Sequence, residues 1–233
     1  PLKTGDVIGI LGGGQLGRML SMAAAKLGLR THIYEPSEDP PAADVAHRVI
    51  TAPYDDGSTL IAFAKSVDVV TYEFENIPTT ALDILEQHTA ILPTREALRV
   101  SQDRLIEKTY LNDLGLKTAP FAAVNSFETL TSAISEIGTA AILKTRRFGY
   151  DGKGQIRLTD ASDPFKIWQT FKGQDMILEG FVAFSHEISV IGARSTSGDI
   201  ACFDPGENVH HNGILHTTTL PARLNSSQRT DAI

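Results

Sequence analysis

The sequence predicts an α/β fold: a doubly wound parallel sheet, then a compact α+β unit, then a set of short antiparallel strands. Three observations predict it. Residues 6–100 alternate apolar runs with amphipathic segments, the pattern of strand–helix–strand units on a parallel sheet. The first apolar run, "DVIGIL", passes into the Gly-rich stretch "GGGQLGRML" and from there into a helix. Beyond residue 115 the helices thin out, and from Ser185 onward strand-like runs follow one another directly.

Gln15–Leu27 carries Leu16, Met19, Leu20, Ala23, Ala24 and Leu27 at helical spacing. "RTHIYEP" reads as the second strand, stopped by Pro36. "HRVITA" is a third strand, Ser58–Lys65 a helix, "VDVVTYEFE" a fourth strand, Thr79–Gln87 a helix, and "AILP" a short closing strand. "REALRVSQDRLIEKTYLNDLG" reads as helical over 95–115, with Gly115 as its stop signal. The α+β unit follows: "APFAAV", the helix "SFETLTSAISEIG", the strand "AAILKT", a Gly-rich loop over Arg146–Gly154, "QIRLT", a helix at Pro164–Phe171 and the strand "DMILEGFV". "HEISVIGAR", "DIACFD" and "GILHTTTLPA" read as successive strands, and a helix begins in "SSQRTDAI". The chain shows no internal repeat, heptad run or low-complexity tract.

Composition bounds the function. The chain has 233 residues, enough for one large domain or two to three small ones, and its 42% hydrophobic content supports a substantial core. A formal net charge of −7 leaves no basic excess to neutralise a nucleic-acid backbone, while small anionic ligands need only local positive charge. The single cysteine, Cys202, excludes an intramolecular disulfide and a cysteine-only metal cluster; its place in "DIACFDP" reads as a buried structural thiol. With no apolar run of the roughly 18–20 residues that a membrane span needs, and "PLKTGD" leading straight into a strand without a signal peptide, the expected setting is cytoplasmic and away from the membrane.

Three clusters carry chemistry. In the first, Gly12, Gly14 and Gly17 stand at G-x-G-x-x-G spacing ahead of a helix, where glycines admit close backbone approach and the helix N-terminus attracts an anion. Glu35, about twenty residues on, supplies the acid that a dinucleotide's ribose would need. The loop does not identify its anion, and glycines serving packing alone are the plainer alternative. The second cluster is "ILKTRRFGYDGKGQIRL", 142–158. Lys144 ends a strand, and a loop with Gly149, Gly152 and Gly154 carries Lys153, a composition suited to covering a nucleoside polyphosphate. A solvated hairpin with an Asp151-Gly152 turn is its alternative. The third, "MILEGFVAFSHEISVIG", places Glu179 at a strand end and Glu187 inside an apolar strand, positions from which carboxylates accept bonds from a nucleoside, bind a metal, or simply face water. Glu73 and Glu75, two residues apart at a strand end, read as one cleft-facing and one structural or solvated acid, with a general-acid pair as the alternative. Trp168 and Phe171 read as core, and His210-His211 as strand neighbours on opposite faces rather than metal ligands.

Taken in this order, the clusters resemble the ATP-grasp superfamily. More narrowly, the chain resembles the ATP-dependent aminoimidazole ribonucleotide (AIR) carboxylases, the N5-carboxyaminoimidazole ribonucleotide synthetases of purine biosynthesis. The resemblance is carried by "GGGQLGRML", "TYEFENIP", "SQDRLIEK", "ILKTRRFGYDGKGQ", "LEGFV", "HEISVIGAR" and "NVHHNGILHTTTLPA". It implies a Rossmann-like pre-ATP-grasp domain at 1–100, an ATP-grasp lid subdomain with connecting helices at 101–183, and the start of the C-terminal ATP-grasp subdomain at 184–233.

The resemblance also implies roles. Arg104 and Lys144 contact ATP phosphates; Gly149, Tyr150, Asp151, Gly152, Lys153, Gly154 and Gln155 form the closing loop. Glu179, Gly180, Phe181 and Val182 form the adenine hinge, Glu187 holds the ATP ribose, and His210 lies near the nucleotide. The first Gly-rich loop binds no dinucleotide: Gln15 and Leu16 meet the 5′-phosphate of the ribonucleotide, Glu73 sits near its amine, and Tyr150 and Asp151 reach it from the lid. Tyr150, Asp151 and Lys153 are the catalytic candidates. The implied reaction joins ATP and bicarbonate to carboxyphosphate, whose carboxyl group goes to the ribonucleotide amine, in a homodimer. Mg2+ is implied too, but the family's metal- and bicarbonate-binding segment is absent before Ile233, so the sequence reads as truncated and inactive by itself. The rival readings are a ligase acting on a formyl- or glycinamide-type ribonucleotide, a nicotinamide oxidoreductase, and a regulatory nucleotide-binding module.

Overall fold

The computed structural model describes residues 1–149 and 152–233; Tyr150 and Asp151, and with them the Asp151-Gly152 turn, lie outside the described residues. The chain divides into two compact units, Pro1–Leu116 and Lys117–Ile233.

In the first unit β1 (Val7–Leu11), α1 (Gln15–Lys26), β2 (Arg30–Glu35), β3 (Arg48–Thr51), α2 (Gly57–Ala64), β4 (Val69–Tyr72) and α3 (Thr79–Leu85) follow the expected alternation. The sheet is parallel with order β3-β2-β1-β4. Chain order therefore reverses between β1 and β4, and the loops leaving these two strands flank the crevice where open α/β sheets bind ligands. The "AILP" run is only an isolated parallel bridge from Ile91 to Val70, not a strand. Tyr34, Leu60, Phe63, Leu82 and Leu85 are fully buried at the centre of this unit's core.

Periodicity locates α1 but not its buried face. The residues it buries are Gly17, Ser21 and Ala24, which let the helix lie close to the sheet, while Leu16, Met19, Leu20, Met22 and Leu27 are exposed. The segment 95–115 also differs from expectation. It holds two helices, α4 (Arg95–Ser101) and α5 (Arg104–Asp113), because Asp103 is extended (φ −133°, ψ 115°) and its carboxylate accepts from the N–H groups of Leu105 and Ile106. An aspartate that caps a new helix competes with continuing the old one.

The second unit opens with β5 (Phe121–Val124), α6 (Phe127–Ile137), β6 (Ala141–Thr145), β7 (Gln155–Leu158), α7 (Pro164–Phe171) and β8 (Met176–Gly180). Its strands form an antiparallel sheet in the order β5-β8-β6-β7. Ala141, Leu143, Leu158, Met176 and Leu178 point to one face, against α6 and α7, with Trp168 and Phe171 packed at the edge of that core as expected. The opposite face carries Ile142, Lys144, Gln155, Arg157 and Glu179, fixed there by the period-two alternation and the register.

The run read as one strand, "HEISVIGAR", splits into β9 (Glu187–Ser189) and β10 (Gly192–Arg194), which join different sheets. Glu187 thus opens a strand instead of lying inside one. β10 pairs with β11 (Ile200–Cys202); β9 pairs with β12 (Gly206–His211), which pairs with β13 (Ile214–Thr219), all antiparallel. α8 (Ser226–Ala232) follows, capped by Asn225. Cys202 corrects the expectation of a buried thiol: it is exposed, as are all three residues of β11. Among the described residues, no helix is long and apolar enough to cross a membrane.

Candidate functional site

In the first unit the chain leaves β1 through Gly12 (φ +99°) and enters α1, whose N-cap, Gly14, has no side chain to cap with. Carboxylates from two other strand ends supply what is missing. Glu35, at the end of β2, accepts from the Gly13 N–H at 2.8 Å and from the Ser37 N–H and hydroxyl. Glu73, just past β4, accepts from the Gly14 N–H through Oε1 at 2.6 Å and from the Gly17 N–H through Oε2. The glycines are needed because these groups approach so closely: a Cβ at Gly12 would stand 2.5 Å from Glu73 Cγ, and one at Gly14 would stand 2.8 Å from Glu73 Oε1. Glu35 is therefore more than a strand end, since it clamps the loop. Gln15 and Leu16 are exposed, and among the described residues no acceptor meets their N–H groups. Glu75 points away, exposed and bonded by the Asn76 amide.

Tyr54 is a member of this neighbourhood that spacing did not reveal. Its hydroxyl lies 3.5 Å from the Tyr34 carbonyl oxygen, and burial, followed by the Glu35 and Glu73 carboxylates, pushes its phenol far above the usual range. It stays neutral beside two carboxylates.

In the second unit Lys144 Nζ lies 2.9 Å from Glu179 Oε2, across adjacent strands and on the sheet face opposite α6 and α7. Glu179 is buried and Lys144 half-buried. At the end of β8 the Gly180 N–H donates to the Pro120 carbonyl and the Phe181 N–H to the Ala140 carbonyl, both at 2.8 Å. These bonds leave Val182 as the hinge residue whose N–H has no acceptor among the described residues. The Arg157 guanidinium stacks over the Phe181 ring at 4.2 Å, a pairing that sequence spacing gave no sign of.

The loop from β6 to β7 returns through Gly152 (φ +75°) and Gly154 (φ +69°), with the Thr145 N–H donating to the Gly154 carbonyl at 2.8 Å. Gly149 is half-buried, and Gly152, Lys153 and Gln155 are exposed. The β12–β13 turn at Asn212-Gly213 lies against Gly152. Glu187 and His210, nominated separately, come together: Glu187 Oε1 is 3.2 Å from His210 Nδ1, beside a register shift between Val209 and His210. His211 instead packs its ring against His216. Arg104 opens α5, in the first unit. The catalytic candidates Tyr150 and Asp151 lie outside the described residues. Among the described residues no group of three or more His, Cys, Asp or Glu is placed to hold a metal ion.

Comparisons with known proteins identify the family. Residues 6–102 match the ribonucleotide synthetase preATP-grasp domain, and residues 109–233 match the ATP-grasp domain. An N5-carboxyaminoimidazole ribonucleotide synthase of Brucella melitensis is 51% identical over 96% of this chain and 62% of its own length. A solved N5-carboxyaminoimidazole ribonucleotide synthetase in complex with ADP superposes with a TM-score of 0.93 at 40% identity, over 99% of this chain and 61% of its own. The Staphylococcus aureus enzyme, also with ADP, gives a TM-score of 0.93 at 37% identity, over 99% of this chain and 62% of its own. The chain thus spans about three-fifths of the length of these relatives. With the ATP-grasp match running over more than half of the sequence, behind a pre-ATP-grasp domain, the chain belongs to the ATP-grasp family.

Proposed function

We propose that this chain serves the ATP-dependent carboxylation of 5-aminoimidazole ribonucleotide with bicarbonate, giving the N5-carboxylated ribonucleotide, ADP and phosphate. The observation that carries the reading is the pairing on the face of the β5-β8-β6-β7 sheet opposite α6 and α7. A cation, Lys144, and a buried carboxylate, Glu179, stand together there, next to a hinge with a spare N–H at Val182. That combination suits a nucleoside polyphosphate: Lys144 and Lys153 meet phosphate oxygens, Val182 N–H donates to the base edge, and Glu179 accepts from an exocyclic amine. The relatives solved with ADP support it.

In this reading Glu187 holds the ribose with His210 beside it, Arg104 adds a phosphate contact, and Gly149–Gln155 close over the nucleotide. The Gln15 and Leu16 N–H groups take the ribonucleotide phosphate, Glu73 stands near its amine, and Tyr150, Asp151 and Lys153 act from the lid. Phosphoryl transfer rests chiefly on positioning and on neutralising charge, which is what lysines on a strand and a closing loop contribute. Bicarbonate attacks the terminal phosphorus, ADP leaves, and the carboxyphosphate formed gives its carboxyl group to the amine and releases phosphate. Exclusion of water by the lid protects that labile intermediate. The acidic Mg2+ ligands that the family implies are not assigned to residues of this chain. The division at 1–100, 101–183 and 184–233, and a homodimeric assembly, belong to the same reading.

The test is ADP release by the enzyme that carries this chain, with bicarbonate and the ribonucleotide supplied singly and together. Release that needs both is expected; release indifferent to the ribonucleotide overturns the substrate assignment, and dependence on a glycinamide ribonucleotide instead transfers it to the rival ligase.

A further inference from the structure

We infer that Glu73 is a positioning residue that restricts the first Gly-rich loop to a single terminal phosphate. The inference rests on the proposal that this loop receives the ribonucleotide phosphate. Its basis is which N–H groups are already taken. A loop of this spacing ahead of a helix ordinarily offers its N–H groups to a dinucleotide's pyrophosphate. Here Gly14 and Gly17 donate to the two oxygens of Glu73, and Gly13 donates to Glu35.

Geometry decides what remains. Gly14 is the N-cap of α1, so Glu73 bonds the cap N–H and the third helical N–H, and leaves the first and second, Gln15 and Leu16, facing out. This is the work of a capping side chain delivered from another strand, and it fixes the first turn before any ligand arrives. A ligand phosphate then meets two preset donors at the positive end of the helix. A pyrophosphate bridge, which must run along the loop over Gly12 to Gly14, meets the Glu73 carboxylate instead; a Cβ placed on Gly12 would already lie 2.7 Å from Glu73 Oε1. Glu35 cannot serve as the ribose acceptor without releasing Gly13 and Ser37. The loop that resembles a dinucleotide site is closed to dinucleotides by the chain's own carboxylates.

The experiment follows backbone amide resonances of this chain during titration with ribose 5-phosphate and, separately, with ADP-ribose. Ribose 5-phosphate is expected to move Gln15 and Leu16 to saturation and leave Gly14 and Gly17 in place; ADP-ribose is expected to leave all four in place. In Glu73→Ala the ribose 5-phosphate footprint is expected to spread to Gly14 and Gly17. Glu73→Gln, whose amide oxygen satisfies only one of the two donors, is expected to spread it to one of them, and covers the case in which the alanine variant does not fold. Shifts of Gly14 and Gly17 as large as those of Gln15 and Leu16 in the unmodified chain mean that Glu73 yields to the ligand, and overturn the inference alone. No shift at Gln15 and Leu16 removes the phosphate site itself, and the inference with it.

Discussion

Lys144 and Glu179 hold each other at 2.9 Å on the sheet face opposite the core that α6 and α7 cover. Removing the lysine takes its ammonium from a buried carboxylate, a change of about 1–3 kcal/mol in stability. Lys144→Ala is therefore expected to lower the denaturation midpoint and to abolish measurable ADP binding by calorimetry, while ribose 5-phosphate binding at Gln15 and Leu16 stays within twofold. Lys144→Arg keeps the charge and recovers stability ahead of affinity, because a guanidinium does not reproduce a point charge on a strand. Equal loss of both ligands would show that the two anion sites have been confused.

The alkaline limit of the first unit is set by its buried phenols. Tyr34 is fully buried, donates its hydroxyl to the Pro53 carbonyl at 2.8 Å, and is pushed up to about 12, mainly by burial and then by Asp56 and Asp55. Its folded-state value lies above the ordinary value of 10.0, so the folded state binds the proton more tightly than the unfolded chain. The stabilisation is complete below pH 10 and is lost as pH rises toward about 12. Tyr54 adds to the same trend through burial and its carboxylate neighbours. Urea midpoints at pH 8, 10 and 11.5 are expected to fall over the last interval, and Tyr34→Phe is expected to flatten the fall while lowering the unfolding free energy at pH 8 by about 1 kcal/mol for the lost hydrogen bond. A midpoint that stays level to pH 11.5 in the unmodified chain would contradict the burial argument.

What the sequence made legible followed from local rules. Alternation over residues 6–100 was enough for a parallel sheet, and the strand pattern around Lys144 put it on one sheet face with Glu179, because strand register carries a residue's face with it. The misreadings lie where tertiary contacts outvote local pattern. The apolar residues of α1 looked like its buried face, yet close packing favoured Gly17, Ser21 and Ala24. Asp103 had the composition of a mid-helix polar residue and became a cap. Nothing local shows that the Glu35 and Glu73 carboxylates accept from backbone N–H groups 22 and 59 residues away. The Arg157–Phe181 stack joins β7 to the residue just past β8, strands that are not sheet neighbours, and no spacing rule reaches it.

Gly154 is where the chain re-enters the sheet just before β7, and its substitution separates two kinds of cost. Its φ is +69°, a region that a Cβ disfavours by about 1 kcal/mol, and the added Cβ would also stand 2.7 Å from Thr145 Oγ1. Thr145 is a short β-branched residue on β6 whose N–H donates to the Gly154 carbonyl, so it relieves the clash only by moving the strand end that carries Lys144. Gly198 supplies the comparison: its φ is +96°, but nothing lies within 4 Å of an added Cβ. Gly198→Ala is expected to show the backbone cost alone, about 1 kcal/mol in urea denaturation, with ADP affinity unchanged. Gly154→Ala is expected to cost about 2 kcal/mol and to weaken ADP about tenfold, since the strand end that carries Lys144 shifts with it. If the two variants prove equal in both measurements, the contact with Thr145 does not position the strand end that carries Lys144.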